Sequence, residues 1–508
     1  MNSKAHYIQR FFAAIVLIMA LVAMTALFSK VFSNYKKSTG TVNIYQKLSS
    51  EFDHHHPHLR WLPDDDNIEG NINPYLRKEI MSAYLKSWAS ANLSQFKQQD
   101  FGLVEHFTDD LRRKINPENF HQLKPSIIES TDLNHEIKLH FISYDKQVVS
   151  FTDKNVRVLN RYKTGDKTTL SEESFSYEVV MTLDDGVWRI DKMLSIPSDK
   201  PQKTETAQVL KLKPSNIKGI NYYPSQYPWK KFWEHYPEDT VAQDLKVMKS
   251  LGFNTVRIFI PFIEFGGPYI PEERFKKLDH FLSEARKNKI YVMPTLFDFP
   301  VGFELIKYTG YDRYLKSIMN RYHDNRMIIA WDIKNEPDLD FEYHSEEIVL
   351  DWLSFIIVQI RKYDKFHPIT IGWAHPENAH HLHQDLDFIS FHYYRSLEEL
   401  ENEIKNLKAK TQTTKLVVSE YGMTTYDGIF PGGHTEKEQS EYIAAFKQYL
   451  KKNKIGYCLW SLYDYSEAPS DVFGWKPWIK ANQKQFGIIK ADGSLKPSAL
   501  KIKKSIKN

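Results

Sequence analysis

The sequence predicts an α/β protein: a (β/α)8 TIM barrel preceded by a small α+β cone-like domain and an N-terminal transmembrane helix. Three observations carry this. The length of 508 residues exceeds one core, because single cores stop growing near ~250–300 residues. From Pro214 onward, short β-rich runs alternate with amphipathic helices eight times. Residues 11–28 form an uncharged apolar run flanked by Lys4, Arg10, Lys30 and Lys36.

The apolar run comes first. Eighteen helical residues rise about 27 Å, enough to span a bilayer core. A cleaved signal peptide is the alternative, but its apolar region usually has only about 7–15 residues before a small-x-small site. Here Ala26 is followed by Leu27, Phe28, Ser29 and Lys30, a poor cleavage site. Residues 1–35 are therefore expected to be a membrane anchor through residues 11–28. No second span follows, so the rest of this single-pass protein sits on one side of the cell membrane, expected to be outside the cytoplasm.

Residues 36–73 read as a linker. His54, His55, His56 and His58 surround Pro57, and Asp64, Asp65 and Asp66 follow. Both residue types ligate metals, but on a Pro-containing segment such a run reads as solvated. Residues 74–196 read as the small α+β domain. A helix is expected over 75–96, where Ile80, Tyr84, Trp88 and Leu93 share a face, and a second over 103–115. Strands are expected at 135–144, 147–161, 174–183 and 187–194, with Asp184-Asp185-Gly186 as a hairpin turn. Residues 197–213, with Pro197 and Pro201, read as a second linker.

Residues 214–508 supply the barrel. Its strands are expected at 218–222, 255–260, 290–296, 328–333, 369–373, 388–392, 416–419 and 457–460. Among the intervening helices, 240–250 places Val241, Leu245 and Met248 on one face, and Thr435-Glu436-Lys437-Glu438 opens another with a capping box. Eight repeats over about 290 residues suit this architecture, and such a barrel is expected to fold by itself.

Composition excludes several function classes. Apolar residues make up 42 %, which argues against general disorder. A net charge of +4, from 68 basic and 64 acidic residues, does not mark a nucleic-acid binder. The single cysteine, Cys458, excludes an intramolecular disulfide, and its apolar run makes it a buried, inert thiol. Aromatics reach 14 %, as large cores or sugar-stacking platforms would require.

Active sites of such barrels sit at the carboxyl ends of the strands. The fourth strand ends in Asn335-Glu336-Pro337 and the seventh in Glu420-Tyr421-Gly422, nearly opposite across the barrel mouth. Glycoside hydrolysis needs such a carboxyl pair: one protonates the leaving oxygen, the other meets the oxocarbenium-like centre. Arg257, a cation in an apolar strand, needs a carboxylate partner, and Glu420 would serve. Asp298, Asn221, Tyr222 and Trp373 also stand at strand ends and are site candidates.

Over residues 218–499 the chain resembles clan A retaining glycoside hydrolases, close to the cellulase and mannanase family 5. The resemblance rests on Asn335-Glu336-Pro337, Glu420-Tyr421-Gly422, Val256-Arg257-Ile258, the pair His392 and Tyr394, and Trp460. It implies that Glu336 is the acid/base and Glu420 the nucleophile. Arg257 and Tyr394 would support the nucleophile, and Trp460 would floor the subsite of the reacting sugar. Asn335 would hold the sugar 2-hydroxyl, a contact that strengthens in the transition state. Clan members often carry a histidine near the end of strand three, where this chain has Leu296-Phe297-Asp298-Phe299. More weakly, in element order alone, residues 74–196 resemble the nuclear-transport-factor-like cone.

The expected function is retaining hydrolysis of a β-linked poly- or oligosaccharide, without metal or organic cofactor. The Glu336 pKa is expected to rise beside a second carboxylate. Two other readings stay open: transglycosylation through the same residues, and an anchored, non-catalytic glycan-binding or scaffold protein of polysaccharide synthesis or export. The carbohydrate is the expected partner, with a possible protein partner for residues 74–196.

Overall fold

The computed structural model describes residues 52–64, 72–115, 127–197, 213–427 and 433–507. The expected anchor at residues 11–28 lies outside them, as does most of the second linker. Among the described residues, no helix is long and apolar enough to cross a membrane. Residues 55–508 form one compact unit built on two sheets.

The first sheet has strands β1 (His58–Trp61), β2 (Ile127–Ile142), β3 (Val148–Thr164), β4 (Lys167–Asp184) and β5 (Val187–Ile196), in that spatial order. β2 to β5 are antiparallel neighbours, as their alternating burial predicts. The β4–β5 turn falls at Asp184-Asp185-Gly186, with Asp185 and Gly186 at φ 51° and 77°. Two successive left-handed residues make the tight turn whose twist matches a hairpin. Helix Pro74–Lys97 starts where Asn73 accepts from the Leu76 amide at 2.8 Å and Pro74 needs no donor. It buries Ile80, Met81 and Tyr84 in a core with Ile137, Phe151, Val179 and Trp188.

Two expectations need correction here. The helix over 103–115 is two short ones, Leu103–His106 and Asp109–Lys114. The Thr108 amide donates to Ile190 O at 3.1 Å, so the chain there serves the sheet instead of the helix. The linker over 36–73 is also not free throughout. Its described part supplies β1, parallel to β2, and its histidines find buried acids. His55 Nε2 lies 2.8 Å from Asp132 Oδ2, and His58 Nε2 lies 3.2 Å from Asp312 Oδ2. A buried carboxylate needs a partner: His55 bonds Asp132, and His58 stands as a charge partner beside Asp312, which accepts its hydrogen bond from Tyr363.

The second sheet is a closed barrel of eight parallel strands. They are β6 (Lys218–Asn221), β7 (Thr255–Phe259), β8 (Tyr291–Phe297), β9 (Trp331–Asn335), β10 (Ile369–Trp373), β11 (Ile389–Tyr393), β12 (Leu416–Tyr421) and β13 (Gly456–Leu459). Every residue of β7, β10, β11, β12 and β13 is buried, because helices cover the outside and side chains fill the inside. Helix Glu238–Ser250 turns Val241, Leu245 and Met248 inward, and helix Glu436–Lys452 carries the Thr435/Glu438 capping box. Cys458 is buried, and burial pushes its thiol up to about 12, so it stays an inert thiol.

The two sheets meet through polar groups as well as apolar ones. Arg161 of β3 pairs with Glu129 of β2 and also donates to Phe303 O (3.1 Å) and to the Tyr308 hydroxyl (3.2 Å). Glu129 Oε1 in turn accepts from the Leu305 amide at 2.6 Å. That amide opens barrel helix Leu305–Tyr322 and has no partner inside the helix. Residues 303–305 continue the loop that follows β8.

Candidate active site

The mouth of the barrel is a cavity of about 620 Å3, of the size that takes a short oligosaccharide. Arg257, on β7, is wholly buried beneath it. Its guanidinium donates from Nε to Asp332 Oδ2 (2.8 Å), from Nη1 to Asn221 Oδ1 (3.0 Å) and Glu420 Oε1 (2.5 Å), and from Nη2 to Asn335 Oδ1 (2.9 Å). The buried cation is thus paired and hydrogen-bonded on every side, the condition for burying it. Burial works against the charge, but Asp332 and Glu420 outweigh it and raise the Arg257 pKa.

Glu420, next to last in β12, has 6 % of its side chain exposed. Its Oε2 accepts from the Tyr394 hydroxyl at 2.7 Å, and burial and the adjacent carboxylate hold that hydroxyl well above its ordinary value. Tyr394 therefore stays a donor.

Glu336 follows β9 at φ 51°, a left-handed conformation unusual for a side-chain-bearing residue. The surrounding loop holds it there. Its amide donates to Gly372 O at 2.7 Å, and Pro337 opens a single 3-10 stretch, Pro337–Glu342. Asp338 then accepts from the amides of Ala374 (2.7 Å) and His375 (3.0 Å) and from Asn378 Nδ2 (3.0 Å). Glu336 Oε1 lies 2.9 Å from His392 Nδ1, and His392 Nε2 lies 3.6 Å from Glu420 Oε1. One carboxylate oxygen each of Glu336 and Glu420 and one ring nitrogen of His392 lie within 4.8 Å of one another.

The expected rise in the Glu336 pKa is not what this site produces. Burial raises it, but the His392 hydrogen bond and charge, with Arg257 and Lys334, bring it below the ordinary carboxyl value. Burial lowers His392, but Glu420 and the Glu336 bond raise it above the ordinary imidazole value. The sequence reading counted the second carboxylate and not the imidazole between them.

The structure gathers Arg257, Asn335, Glu336, His392, Tyr394, Glu420 and Trp460 at one mouth, and Trp460 lines the cavity. Asp298 joins them. Its Oδ2 accepts from the Tyr223 hydroxyl at 2.9 Å, and burial pushes its carboxyl up to about 7. The other candidates fall elsewhere. Asn221 lies below the cavity, bonding Ser419 O (2.9 Å) and Arg257. Tyr222 points outward and donates to Asp244 at 2.7 Å, and its neighbour Tyr223 faces the cavity instead. Trp373 is buried against Phe341 and His381. At Gly372 a Cβ would stand 3.0 Å from Arg257 Nη2 and 3.2 Å from His392 Nε2, so Gly372 is the inward position of β10 and Trp373 the outward one. Sequence reasoning missed Asp332, the second partner of Arg257. An acid inside an apolar strand was the available signal.

A carboxyl pair at the carboxyl ends of barrel strands, one member clamped by a buried arginine, defines a glycoside hydrolase. The family model for cellulase, glycosyl hydrolase family 5, matches residues 211–466, and the chain belongs to that family. No curated protein matches the chain. Among solved structures it is similar to an exo-β-1,4-mannosidase from Opitutaceae bacterium strain TAV5, at 20% identity and TM-score 0.47 over 56% of this chain and 58% of that one. It is also similar to a family 5 protein from Streptomyces cattleya in complex with GlcNAc, at 16% identity and TM-score 0.48 over 57% and 79%. A third is β-glucuronidase 2 of Bacteroides uniformis, at 14% identity and TM-score 0.45 over 73% and 50%. The chain thus spans little more than half the length of the first of these.

Proposed function

We propose that this protein cleaves β-linked poly- or oligosaccharides by double displacement, with Glu420 as nucleophile and Glu336 as acid/base. One observation carries the reading. The Glu420 carboxyl accepts from both Arg257 and Tyr394, and an oxygen of Glu336 stands within 4.8 Å of it. Retaining enzymes keep their carboxyl groups about 5–5.5 Å apart, while inverting ones leave about 6.5–9.5 Å for a water. Glu420 attacks the anomeric carbon as the leaving oxygen takes a proton from Glu336. That proton is held on the Glu336–His392 pair, because His392 carries it against both carboxylates. Glu336 then takes a proton from the incoming water, and the sugar leaves with its configuration retained. Asn335, fixed by Arg257, presents its amide N–H groups to the sugar 2-hydroxyl. Residues 11–28 are proposed to tether the enzyme to the cell membrane with this site outside the cytoplasm; a mature protein starting near residue 27–40 in the soluble fraction would refute that.

The experiment separates the two glutamates. Glu336→Ala loses natural substrates, whose leaving groups need protonation, but keeps the first step on an activated aryl glycoside. Azide then restores turnover and gives the β-glycosyl azide. Glu420→Ala gives the α-glycosyl azide by direct inversion. The opposite assignment of product configurations would exchange the two roles.

A further inference from the structure

The chain after β13 lines the cavity twice. Val472 and Phe473 face it from the short helix Ser470–Phe473, and Asn482 and Gln483 face it from the short helix Pro477–Gln483. Between these two contacts residues 474–478 are all exposed and carry two tryptophans. Trp475 is 77% exposed and Trp478 is 37% exposed, with ring centroids 6.5 Å apart and planes at 72°. Trp475 is left mostly in water although a core lies within a few residues, and Trp478 is partly covered beside it. Leaving adjacent indoles exposed costs hydrophobic free energy, and such clusters mark binding surfaces. Both residues lie beyond the family match, which ends at residue 466.

We propose that Trp475 and Trp478 form a carbohydrate-binding subsite on the cavity rim, which holds a β-linked polysaccharide chain where it leaves the cavity. The inference rests on the glycosidase reading above and extends it from short glycosides to polymers. A pyranose ring presents an apolar C–H face, and an indole ring complements it. The cavity of about 620 Å3 holds only a short piece of chain, so a polymer must continue over the rim. The stretch that carries the tryptophans is joined at both ends to cavity-lining residues, Phe473 and Asn482. Lys476 stands between the tryptophans, a combination that also suits a lipid headgroup surface. Direct continuity with the cavity favours the glycan.

The test compares the whole protein with Trp475→Ala, Trp478→Ala and the double variant. Aryl β-glucoside and β-mannoside are the small substrates. Hydroxyethyl cellulose, glucomannan and a soluble β-1,3-glucan are the polymers. The expected result for the double variant is unchanged kcat and KM on the aryl glycosides. Its KM on the cleaved polymer should rise about tenfold, and its retardation in gels containing that polymer should fall. Equal losses on aryl glycosides and polymer would mean a structural role and overturn the proposal. So would unchanged polymer retardation, retardation of the wild type by no polymer while aryl glycosides turn over, or loss confined to binding of anionic phospholipid vesicles. A wild type that turns over no aryl glycoside yet shows tryptophan-dependent retardation would overturn the catalytic reading and keep the subsite.

Discussion

Arg257 Nη1 donates to Glu420 Oε1 at 2.5 Å, and this contact lies beneath the cavity at the barrel mouth with the guanidinium wholly buried. The same guanidinium reaches Asp332, Asn221 and Asn335. Its fork therefore sets Glu420, Asp332 and the two asparagines relative to one another, which a single ammonium cannot do.

Arg257→Lys is accordingly expected to lower kcat by about 10²–10³, the loss typical when one preorganised donor at a developing charge is removed. KM should change little, because the arginine does not line the cavity. Arg257→Ala should also destabilise the fold by roughly 3–5 kcal/mol, because Asp332 is left buried without its cation. Steady-state kinetics and denaturant unfolding check both. Near-wild-type kcat in Arg257→Lys would show that charge alone suffices.

Under the proposed mechanism the acid proton is shared by Glu336 and His392. With the imidazole present, Glu336 lies below the ordinary carboxyl value and His392 above the ordinary imidazole value. The wild-type alkaline limb of kcat/KM therefore follows loss of the shared proton from His392. In His392→Asn only Glu336 can hold it, and Arg257 and Lys334 still pull that carboxyl down. The limb should move to lower pH in the variant, with lower kcat because the proton store is gone. A pH profile on a substrate with a natural leaving group measures this. A limb that stays in place or moves to higher pH would remove His392 from proton transfer.

How far the sequence was legible follows from periodicity. The barrel strands are short runs buried on both faces, so they stand out as continuous apolar stretches, and β7 and β10 fall within a residue of expectation. Glu336 and Glu420 are legible because each closes such a run with a recognisable tripeptide. Which of two consecutive residues faces the cavity is not. Tyr222 and Trp373 face outward while their neighbours Tyr223 and Gly372 face inward, since a strand alternates and its register is set by pairing with neighbours. The loop after β13, with Val472, Phe473 and Phe486 in the cavity wall, carries no periodic signal. The histidines near residue 55 read as solvated because their partners, Asp132 and Asp312, lie far along the chain.

Asp298 gives the fold a pH dependence of known sign. Burial raises its carboxyl to about 7, Tyr223 and Arg257 pull it down, and Glu420 pushes it up. In the unfolded chain its value is about 3.9. Between these values the folded protein holds a proton that the unfolded chain has released, so this contribution to stability is complete below about pH 4 and is lost as pH climbs through about 7. Asparagine cannot ionise and can still accept from Tyr223. Asp298→Asn should therefore raise Tm relative to wild type at pH 8 and change it little at pH 4. Thermal unfolding at the two pH values decides, and an equal Tm difference at both would refute the ionisation.

The barrel should not stand well alone, contrary to what its size suggests. Residues 303–305 continue the loop whose Asp298, Phe299 and Pro300 wall the cavity, and the first sheet grips that continuation. Arg161 donates to Phe303 O and to the Tyr308 hydroxyl, and Glu129 accepts from the Leu305 amide. His56 and Pro57 add carbonyls that accept from Arg313, and the Thr168 amide donates to Glu347 at 2.6 Å. Removing residues 1–204 would leave the Leu305 amide and the Phe303 carbonyl without these partners, and each lost buried partner costs about 1–3 kcal/mol. A protein of residues 205–508 is therefore expected to be poorly soluble or to unfold at a much lower temperature. Arg161→Ala tests the same junction more gently. It should leave Glu129 unpaired, loosen the loop after β8 and lower kcat/KM for polymer and aryl glycoside alike, while loss of the rim tryptophans affects the polymer alone. A soluble, fully active 205–508 protein would show that the sheet's grip on that loop does not matter to the active site.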